Sequence, residues 1–264
     1  MSARMRARHP LAAVALALAA AASVPQASAV APEVEKQNYC ANKAGFYFAD
    51  FSIEACTFLI VSGNKTPQEL AVIYSHRCKH YLEDEKLDRA LQDCNEAIWL
   101  DVDLFAAYQI RGLVHERANR HRRAVSDFAQ VIAQQPSSAS AWDGLCRNEL
   151  ALGHRALAIS ACSESLQLRP NDATTLVTRG LAYLMSGALD DAIADFDIAL
   201  RTKPALATAL YARGIARLGR HDDRNGEADI AAATSLQGDI AKQFADRQRI
   251  KPDGDVIAPP RSGF

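Results

Sequence analysis

The regular interval between three prolines is the strongest constraint on what this chain can fold into. Pro136, Pro170 and Pro204 are evenly spaced, thirty-four positions from one to the next, and each closes a short loop after an apolar helical run. On this period, five repeats start at Ala71, Phe105, Ala139, Ala173 and Ala207. A repeat of this length indicates one supersecondary unit copied along the chain, in which each copy buries its apolar face only against its neighbours. The period therefore predicts a solenoid.

Several columns of this register hold one kind of residue in most repeats. The fourth position is Tyr74, Tyr108, Trp142, Leu176 and Leu210. The seventh is Arg77, Arg111, Leu145, Arg179 and Arg213, and the eighth is Cys78, Gly112, Cys146, Gly180 and Gly214. The twentieth is Ala90, Ala124, Ala158 and Ala192 in the first four repeats. Large residues at position four and small ones at eight and twenty suit two antiparallel helices that approach closely.

This pattern resembles the tetratricopeptide repeat, as found in exported bacterial proteins, over Ala71 to about Leu236. The resemblance implies an all-α, right-handed superhelical solenoid of antiparallel helix pairs. Two departures stand out. Val102 replaces the expected proline in the first repeat, and Gly226 occupies the twentieth position of the fifth. A two-residue insertion near 222–225 would bring Ala228 into line at that position.

Residues 1–29 have the pattern of a cleavable signal peptide. Three arginines make a basic start, residues 11–22 form an apolar run, and Ala27-Ser28-Ala29 supplies the small-x-small motif of a cleavage site. The apolar run is shorter than the roughly 20 residues that span a bilayer. We therefore expect cleavage near Ala29, no membrane insertion of the mature chain, and a periplasmic or secreted location.

The rest of the chain divides into three predicted parts. Residues 30–70 form a degenerate N-terminal helix pair that acts as a cap. Residues 71–250 form the solenoid with a C-terminal capping helix, and residues 251–264, rich in proline and glycine, form a disordered tail. Thr66 to Glu69 has the sequence of a capping box that starts the helix after the cap, with Pro67 at its first position.

The charge balance argues against a nucleic-acid partner. Without the three leader arginines, 27 basic residues face 31 acidic ones, a net charge near −4. Nucleic-acid binders instead carry a basic surface stripe.

Six cysteines follow the leader in three pairs, and the two members of each pair are sixteen positions apart. The pairs are Cys40 with Cys56, Cys78 with Cys94, and Cys146 with Cys162. In the first and third repeats they occupy positions eight and twenty-four, which face each other across the helix pair. The second and fourth repeats hold a glycine and a phenylalanine there, so the two kinds of pair are never mixed. In an oxidising compartment this predicts three disulfides and a disulfide-stapled solenoid. Reduced cysteines packed as small hydrophobes are the alternative.

Catalytic signatures are absent from the sequence. It has no Gly-rich phosphate loop, no Gly-x-Ser-x-Gly elbow, no His-Glu-x-x-His and no Cys-x-x-Cys-His. We therefore predict no enzyme activity, no catalytic residue and no cofactor. His76 and His80 have a spacing that zinc could use, but without an evident third ligand we interpret them as two solvated histidines. An acidic cluster near a helix start suits the helix dipole better than a calcium loop; it consists of Asp190, Asp191, Asp195 and Asp197. No metal site is predicted.

The resemblance implies that partners bind along the concave face, at positions two, five, nine and twelve of each first helix. The candidate groove residues are Lys79, Gln109, Leu113, Arg147, Val177, Leu181, Leu184, Tyr211 and Ile215. The groove changes from mixed-polar to apolar toward its C-terminal end, which suits a protein or peptide segment with hydrophobic anchors. Position six lacks the asparagine of relatives that grip a terminal carboxylate, so that type of receptor is disfavoured.

Three functions follow from these features. The first is an exported scaffold or adaptor that binds a protein or peptide in the groove. The second is a structural protein that self-associates through Leu184 and Leu218. The third is a regulatory subunit of a cell-envelope enzyme. A C-terminal cap or a neighbouring molecule that covers the groove would argue against the first.

Overall fold

The computed structural model describes residues 32–42, 45 and 48–249, and this part of the chain forms thirteen α-helices. The predicted signal peptide and the predicted tail lie outside the described residues. The helices are α1 Pro32–Ala41, α2 Ala49–Val61, α3 Pro67–Glu83, α4 Leu87–Leu100, α5 Phe105–Arg117, α6 His121–Gln134, α7 Ala139–Ala151, α8 Arg155–Leu168, α9 Ala173–Ser186, α10 Leu189–Thr202, α11 Ala207–Gly219, α12 Asp223–Leu236 and α13 Ile240–Arg249.

Each helix packs against the next, and the first helix of each repeat also contacts the first helix of the following repeat. The result is a right-handed solenoid of antiparallel helix pairs, and the predicted all-α fold is confirmed. α3 starts with the predicted capping box, in which Glu69 N–H donates to Thr66 Oγ1 and Thr66 N–H donates back to the Glu69 carboxylate. In the described part of the chain, no helix combines the length and apolarity needed to cross a membrane.

The turn inside each repeat depends on one residue with left-handed backbone geometry at position fifteen. These residues are Glu85 (φ 55°), Asn119 (φ 55°), Gly153 (φ 81°), Gly187 (φ 79°) and His221 (φ 62°). Their recurrence closes a short turn that brings the second helix back against the first. Only two are glycines, and the first repeat adopts this geometry with Glu85, a residue type that rarely does so.

The fifth repeat keeps the register of the others, and the predicted two-residue insertion is wrong. α12 begins at Asp223, one full repeat length after the start of α10 at Leu189. Gly226 therefore occupies the twentieth position itself. A Cβ added there would lie 2.8 Å from Leu218 Cγ and 3.0 Å from the Gly214 carbonyl oxygen, so this contact admits only the smallest residue. Glycine replaces alanine here because a Cβ would meet the Leu218 side chain and the Gly214 backbone.

Positions eight and twenty-four meet inside each pair, as predicted. In the fourth repeat, a Cβ added to Gly180 would lie 2.7 Å from Phe196 Cε1. Where cysteines replace that pair, all three predicted disulfides are present, with Cα–Cα distances of 4.7 Å for Cys40–Cys56, 5.5 Å for Cys78–Cys94 and 5.1 Å for Cys146–Cys162. No described cysteine is free. The structure therefore contradicts the alternative of reduced cysteines packed as small hydrophobes.

The N-terminal helix pair docks on α3 through a small buried cluster. Cys40, Cys56, Leu59 and Ile73 form its centre. His80 is part of this junction, because its side chain is buried and its Nε2 donates to the carbonyl oxygen of Cys40 at 2.8 Å. The prediction that His80 is solvated is therefore wrong. The histidine hydrogen-bonds to a backbone carbonyl group at the C-terminal end of α1. It therefore links the N-terminal helix pair to the first repeat.

Candidate protein-binding groove

The nine candidate groove residues lie on five consecutive first helices, α3, α5, α7, α9 and α11, each of which contacts the next. Lys79 at the N-terminal end is exposed and lies 3.6 Å from Glu83, one helical turn further on. Leu113 is half-buried on α5. This end of the surface therefore combines polar and apolar side chains.

Gln109 is the candidate groove residue with an unmet hydrogen-bonding requirement. Its Oε1 is buried and has no hydrogen-bond partner among the described residues. An unpaired buried acceptor costs about 1–3 kcal/mol.

Arg147 does not present a free charge to the groove. Its Nε and Nη2 donate to the two oxygens of Glu116 in the preceding repeat, at 2.8 and 3.0 Å, and its Nη1 donates to Asp143. Burial lowers the pKa of the Arg147 guanidinium, but the hydrogen bonds to Glu116 and the charge of Asp143 outweigh it and raise this pKa. The guanidinium therefore ties the second repeat to the third.

The Arg147 network extends in both directions along the solenoid. Asn148 Nδ2 donates to Glu116 at 3.2 Å, and its Oδ1 lies 2.9 Å from His121 Nδ1. Thr175 in the fourth repeat donates its hydroxyl to Asp143 at 2.8 Å. Three repeats are thus joined by polar contacts in the middle of the candidate surface. The sequence register does not reveal these contacts, because the partners come from different repeats.

The C-terminal half of the surface is apolar and half-buried. Val177, Leu181, Leu184, Tyr211 and Ile215 pack against the core cluster of the last repeats. α13 reaches this surface, since Ile240 and Phe244 are buried and the Phe244 ring lies 5.1 Å from the Tyr211 ring. The capping helix therefore shields Tyr211.

α13 occupies the place of a sixth first helix. Phe244 lies one repeat length after Leu210, so it takes the position-four role of the repeat. α13 packs on α11 as each earlier first helix packs on its predecessor. The surface that remains outside α13 is centred on α5 to α9.

Four arginine–aspartate pairs form a second set of residues that is not among the predicted site residues, although their constant spacing is visible in the sequence. The arginine at position seven donates two hydrogen bonds to an aspartate at position twenty-three, the same separation as within a cysteine pair. The pairs, with their N–O distances, are Arg77–Asp93 (2.6 and 2.8 Å), Arg111–Asp127 (3.0 and 2.7 Å), Arg179–Asp195 (2.8 and 2.8 Å) and Arg213–Asp229 (2.8 and 2.6 Å).

The third nitrogen of each of these arginines reaches the second helix of the preceding repeat. Its acceptors are Thr57 at 3.0 Å, Asn95 at 2.8 Å, Ser163 at 3.0 Å and Asp197 at 2.7 Å. The third repeat has Leu145 and Ala161 instead, so arginine and aspartate occur together or not at all. These pairs also explain the acidic cluster, because Asp195 and Asp197 serve as acceptors for arginines. Within the described residues, no group of three or more side chains is placed to hold a metal ion.

Solved structures with the same architecture show which fold this chain has. YrrB, described as a TPR protein with an unusual peptide-binding site, is 21% identical with a TM-score of 0.60, over 74% of this chain and 99% of that one. MamA is 19% identical with a TM-score of 0.59, over 66% and 95%. A tetratricopeptide-repeat protein from Parabacteroides merdae is 14% identical with a TM-score of 0.64, over 81% and 88%. The chain therefore has the tetratricopeptide-repeat fold.

Curated proteins match it over shorter stretches. Sperm-associated antigen 1A of Danio rerio is 29% identical over 96 residues, and mitochondrial import receptor subunit TOM34 of Rattus norvegicus is 30% identical over 98 residues. The aligned regions span 22% and 32% of those relatives and 36% and 37% of this chain. No protein-family model matches the chain.

Proposed function

We propose that this protein is an exported scaffold that binds a protein or peptide segment along the surface of α5, α7 and α9. The observation that carries the proposal is the half-buried apolar surface that Val177, Leu181 and Leu184 form on α9. Gln109 and Leu113, both half-buried on α5, continue this surface with a mixed polar and apolar character. A segment with hydrophobic anchors fits this arrangement.

The export part of the proposal rests on the cysteines and the leader. Three disulfides form and persist in oxidising compartments, and they are rare where thiols are kept reduced. The leader-like pattern of residues 1–29 supports the same location. The periplasm or the extracellular space is therefore the proposed place of action.

Self-association through Leu184 and Leu218 has less support. Leu218 is half-buried and packs against Gly226 of its own repeat, where its Cγ would lie 2.8 Å from an added Cβ. That contact leaves little of its surface for a second molecule. Nothing among the described residues favours the regulation of an enzyme over binding in general.

The test is capture of partners from an envelope extract by the oxidised protein. We expect a protein retained by the wild type to be lost with Leu181→Asp, which places a carboxylate in the apolar half of the surface. Leu157→Asp is the matched control, because Leu157 is exposed on the second helix α8. Circular dichroism establishes that each variant is folded. Equal recovery by wild type and Leu181→Asp would overturn the groove assignment.

A further inference from the structure

A cavity of about 400 Å³ lies between the first and second repeats, away from the candidate groove. It is formed by α4, the C-terminal half of α5 and the start of α6. The charged and polar residues that matter for its chemistry are Arg111, His115, Arg120, Arg123, Ser126 and Asp127. None of the nine groove residues lines it, so it is a separate feature of the molecule.

The cavity holds more positive charge than its own carboxylate balances. Arg111 is paired, since it donates to both oxygens of Asp127. Arg120 and Arg123 form no ion pair with any described residue. Three guanidinium groups therefore face one carboxylate, which leaves two positive charges uncompensated.

His115 adds a buried nitrogen without a partner. Its side chain is only 9% exposed, its Nε2 lies 3.9 Å from Asp127 Oδ2, and its Nδ1 has no hydrogen-bond partner among the described residues. Burial lowers the pKa of the imidazole; the charge of Asp127 opposes this shift, and the charges of Arg111, Arg123 and Arg120 add to it. The ring is therefore neutral at pH 7 and forms part of the cavity wall.

The start of α6 lacks the acidic residues that three other second helices carry. Helix N-termini favour acidic residues, and α4, α10 and α12 have Asp88, Asp190 with Asp191, and Asp223 in their first turns. α6 has His121, Arg122 and Arg123 there, with no acidic residue. Cations at this end oppose the helix dipole. The backbone N–H groups and the arginines together create a strongly positive region beside the cavity.

We propose that this cavity binds the phosphate group of a small phosphate monoester. A phosphate monoester carries about −1.5 to −2 charges at pH 7, which matches the two uncompensated arginines, whereas a carboxylate would leave one of them unbalanced. Its oxygens accept from the guanidinium forks of Arg120 and Arg123, and the phosphate group lies beside the His115 ring in the cavity wall. The volume exceeds that of a phosphate group, so the organic part of the monoester also has space. The proposal does not depend on the groove.

Calorimetric titration with inorganic phosphate and with phosphoserine tests the proposal. We expect Arg120→Gln combined with Arg123→Gln to weaken the binding of both by more than about tenfold, because two charge-assisted contacts are lost. Arg122→Gln is the control, since it removes one of the neighbouring positive charges from the same helical turn but does not line the cavity. It should change the dissociation constant by less than about twofold. An equal loss with Arg122→Gln, or equally tight binding of acetate at matched ionic strength, would show only diffuse charge attraction and would overturn the site.

Two further readouts keep the result interpretable. Removing cations from the start of α6 relieves repulsion, so the double variant should melt at the same or a higher temperature than wild type without phosphate. Weak binding by that variant is then not caused by unfolding.

In NMR spectra of the wild type, the His115 imidazole signals should move on addition of phosphate and the pKa of His115 should rise, because a bound dianion favours the imidazolium. Phosphate binding that leaves these signals unchanged would place the ligand elsewhere and contradict the proposal.

Discussion

At the scale of single residues, four buried aspartates at position twenty-three depend on hydrogen bonds from the arginines at position seven of the same repeat. Asp195 is almost fully buried, and the Arg179 guanidinium that covers it donates to both of its oxygens. Those hydrogen bonds are the main cause of the raised pKa of Arg179. Losing one partner of such a pair costs more than replacing both, because a single substitution leaves a charge without its counterpart.

The chain contains a natural replacement for this pair, which gives a sharp prediction. Asp195→Ala should lower the free energy of unfolding by about 2 kcal/mol, less than for a fully buried pair because Arg179 keeps some contact with water. Arg179→Leu combined with Asp195→Ala recreates the Leu145 and Ala161 combination of the third repeat and should recover part of that loss. Urea denaturation of the wild type, both single variants and the double variant gives the coupling energy. A double variant that loses the full sum of the single losses would contradict the explanation.

A second residue-scale prediction concerns close helix approach. Gly180→Ala places a methyl group 2.7 Å from Phe196 Cε1 in a fully packed core, so it should cost about 1–3 kcal/mol of unfolding free energy. Gly238→Ala is the control, because a Cβ there meets nothing within 4 Å. Thermal melting of both variants measures the difference. Equal melting temperatures for the two variants would show that α9 and α10 can move apart without a loss of unfolding free energy.

At the scale of elements, the sequence predicts what is local to one repeat and fails where partners come from another. The helix pairs, the capping box at Thr66 and the three disulfides were predictable, because each depends on spacings inside one unit. The burial of His80 was not, since the carbonyl that it meets belongs to the cap. The register also fails at Gly226, because it predicts alanine where a Cβ would meet the Leu218 side chain and the Gly214 carbonyl oxygen. The arginine–aspartate pairs recur at a constant separation in the sequence, so they were predictable although they were not predicted.

α9 offers an element-scale prediction with a pH dependence. Asp172 caps its start, since Oδ1 accepts from the backbone N–H groups of Thr174 and Thr175 at 3.0 and 3.1 Å. Burial raises the pKa of Asp172, but these hydrogen bonds and the charge of Arg169 outweigh it, so its pKa lies below the ordinary 3.8. The lowered pKa means that the unfolded state binds the proton more readily. This contribution to stability is therefore present above pH 3.8 and is lost as the pH falls through the folded-state pKa.

Asp172→Ala should cost about 1 kcal/mol of unfolding free energy at neutral pH, because the cap is lost. Asp172→Asn should keep most of the cap but lose its pH dependence. Urea denaturation at pH 7 and pH 3 measures both effects. If the wild type and the asparagine variant lost the same stability between these two pH values, the carboxylate would not be the origin of the effect.

At the scale of the whole molecule, stability is a sum of repeats and of the contacts between neighbours. The disulfides lie within units and none crosses between repeats, so each strengthens one helix pair. Contacts between repeats come instead from apolar clusters and from polar links such as Arg147 to Glu116. The two ends differ accordingly. α13 closes the C-terminal end by occupying a first-helix site, whereas the N-terminal pair packs on α3 alone among the helices of the repeats and has its own disulfide.

This difference predicts where the solenoid opens when a disulfide is removed. A disulfide that closes a loop of about 17 residues stabilises by roughly 3 kcal/mol on the chain-entropy model. Cys40→Ala combined with Cys56→Ala should therefore release α1 and α2, which have a neighbour on one side only, while α9 to α12 keep their hydrogen-exchange protection. Cys146→Ala combined with Cys162→Ala is the comparison, because the third repeat has neighbours on both sides. Destabilising it therefore also destabilises the repeats that pack against it. We expect that variant to lower protection in α5 to α10 together. Uniform loss of protection along the chain in both variants would mean that the solenoid unfolds as one cooperative unit, and the nearest-neighbour account would be wrong.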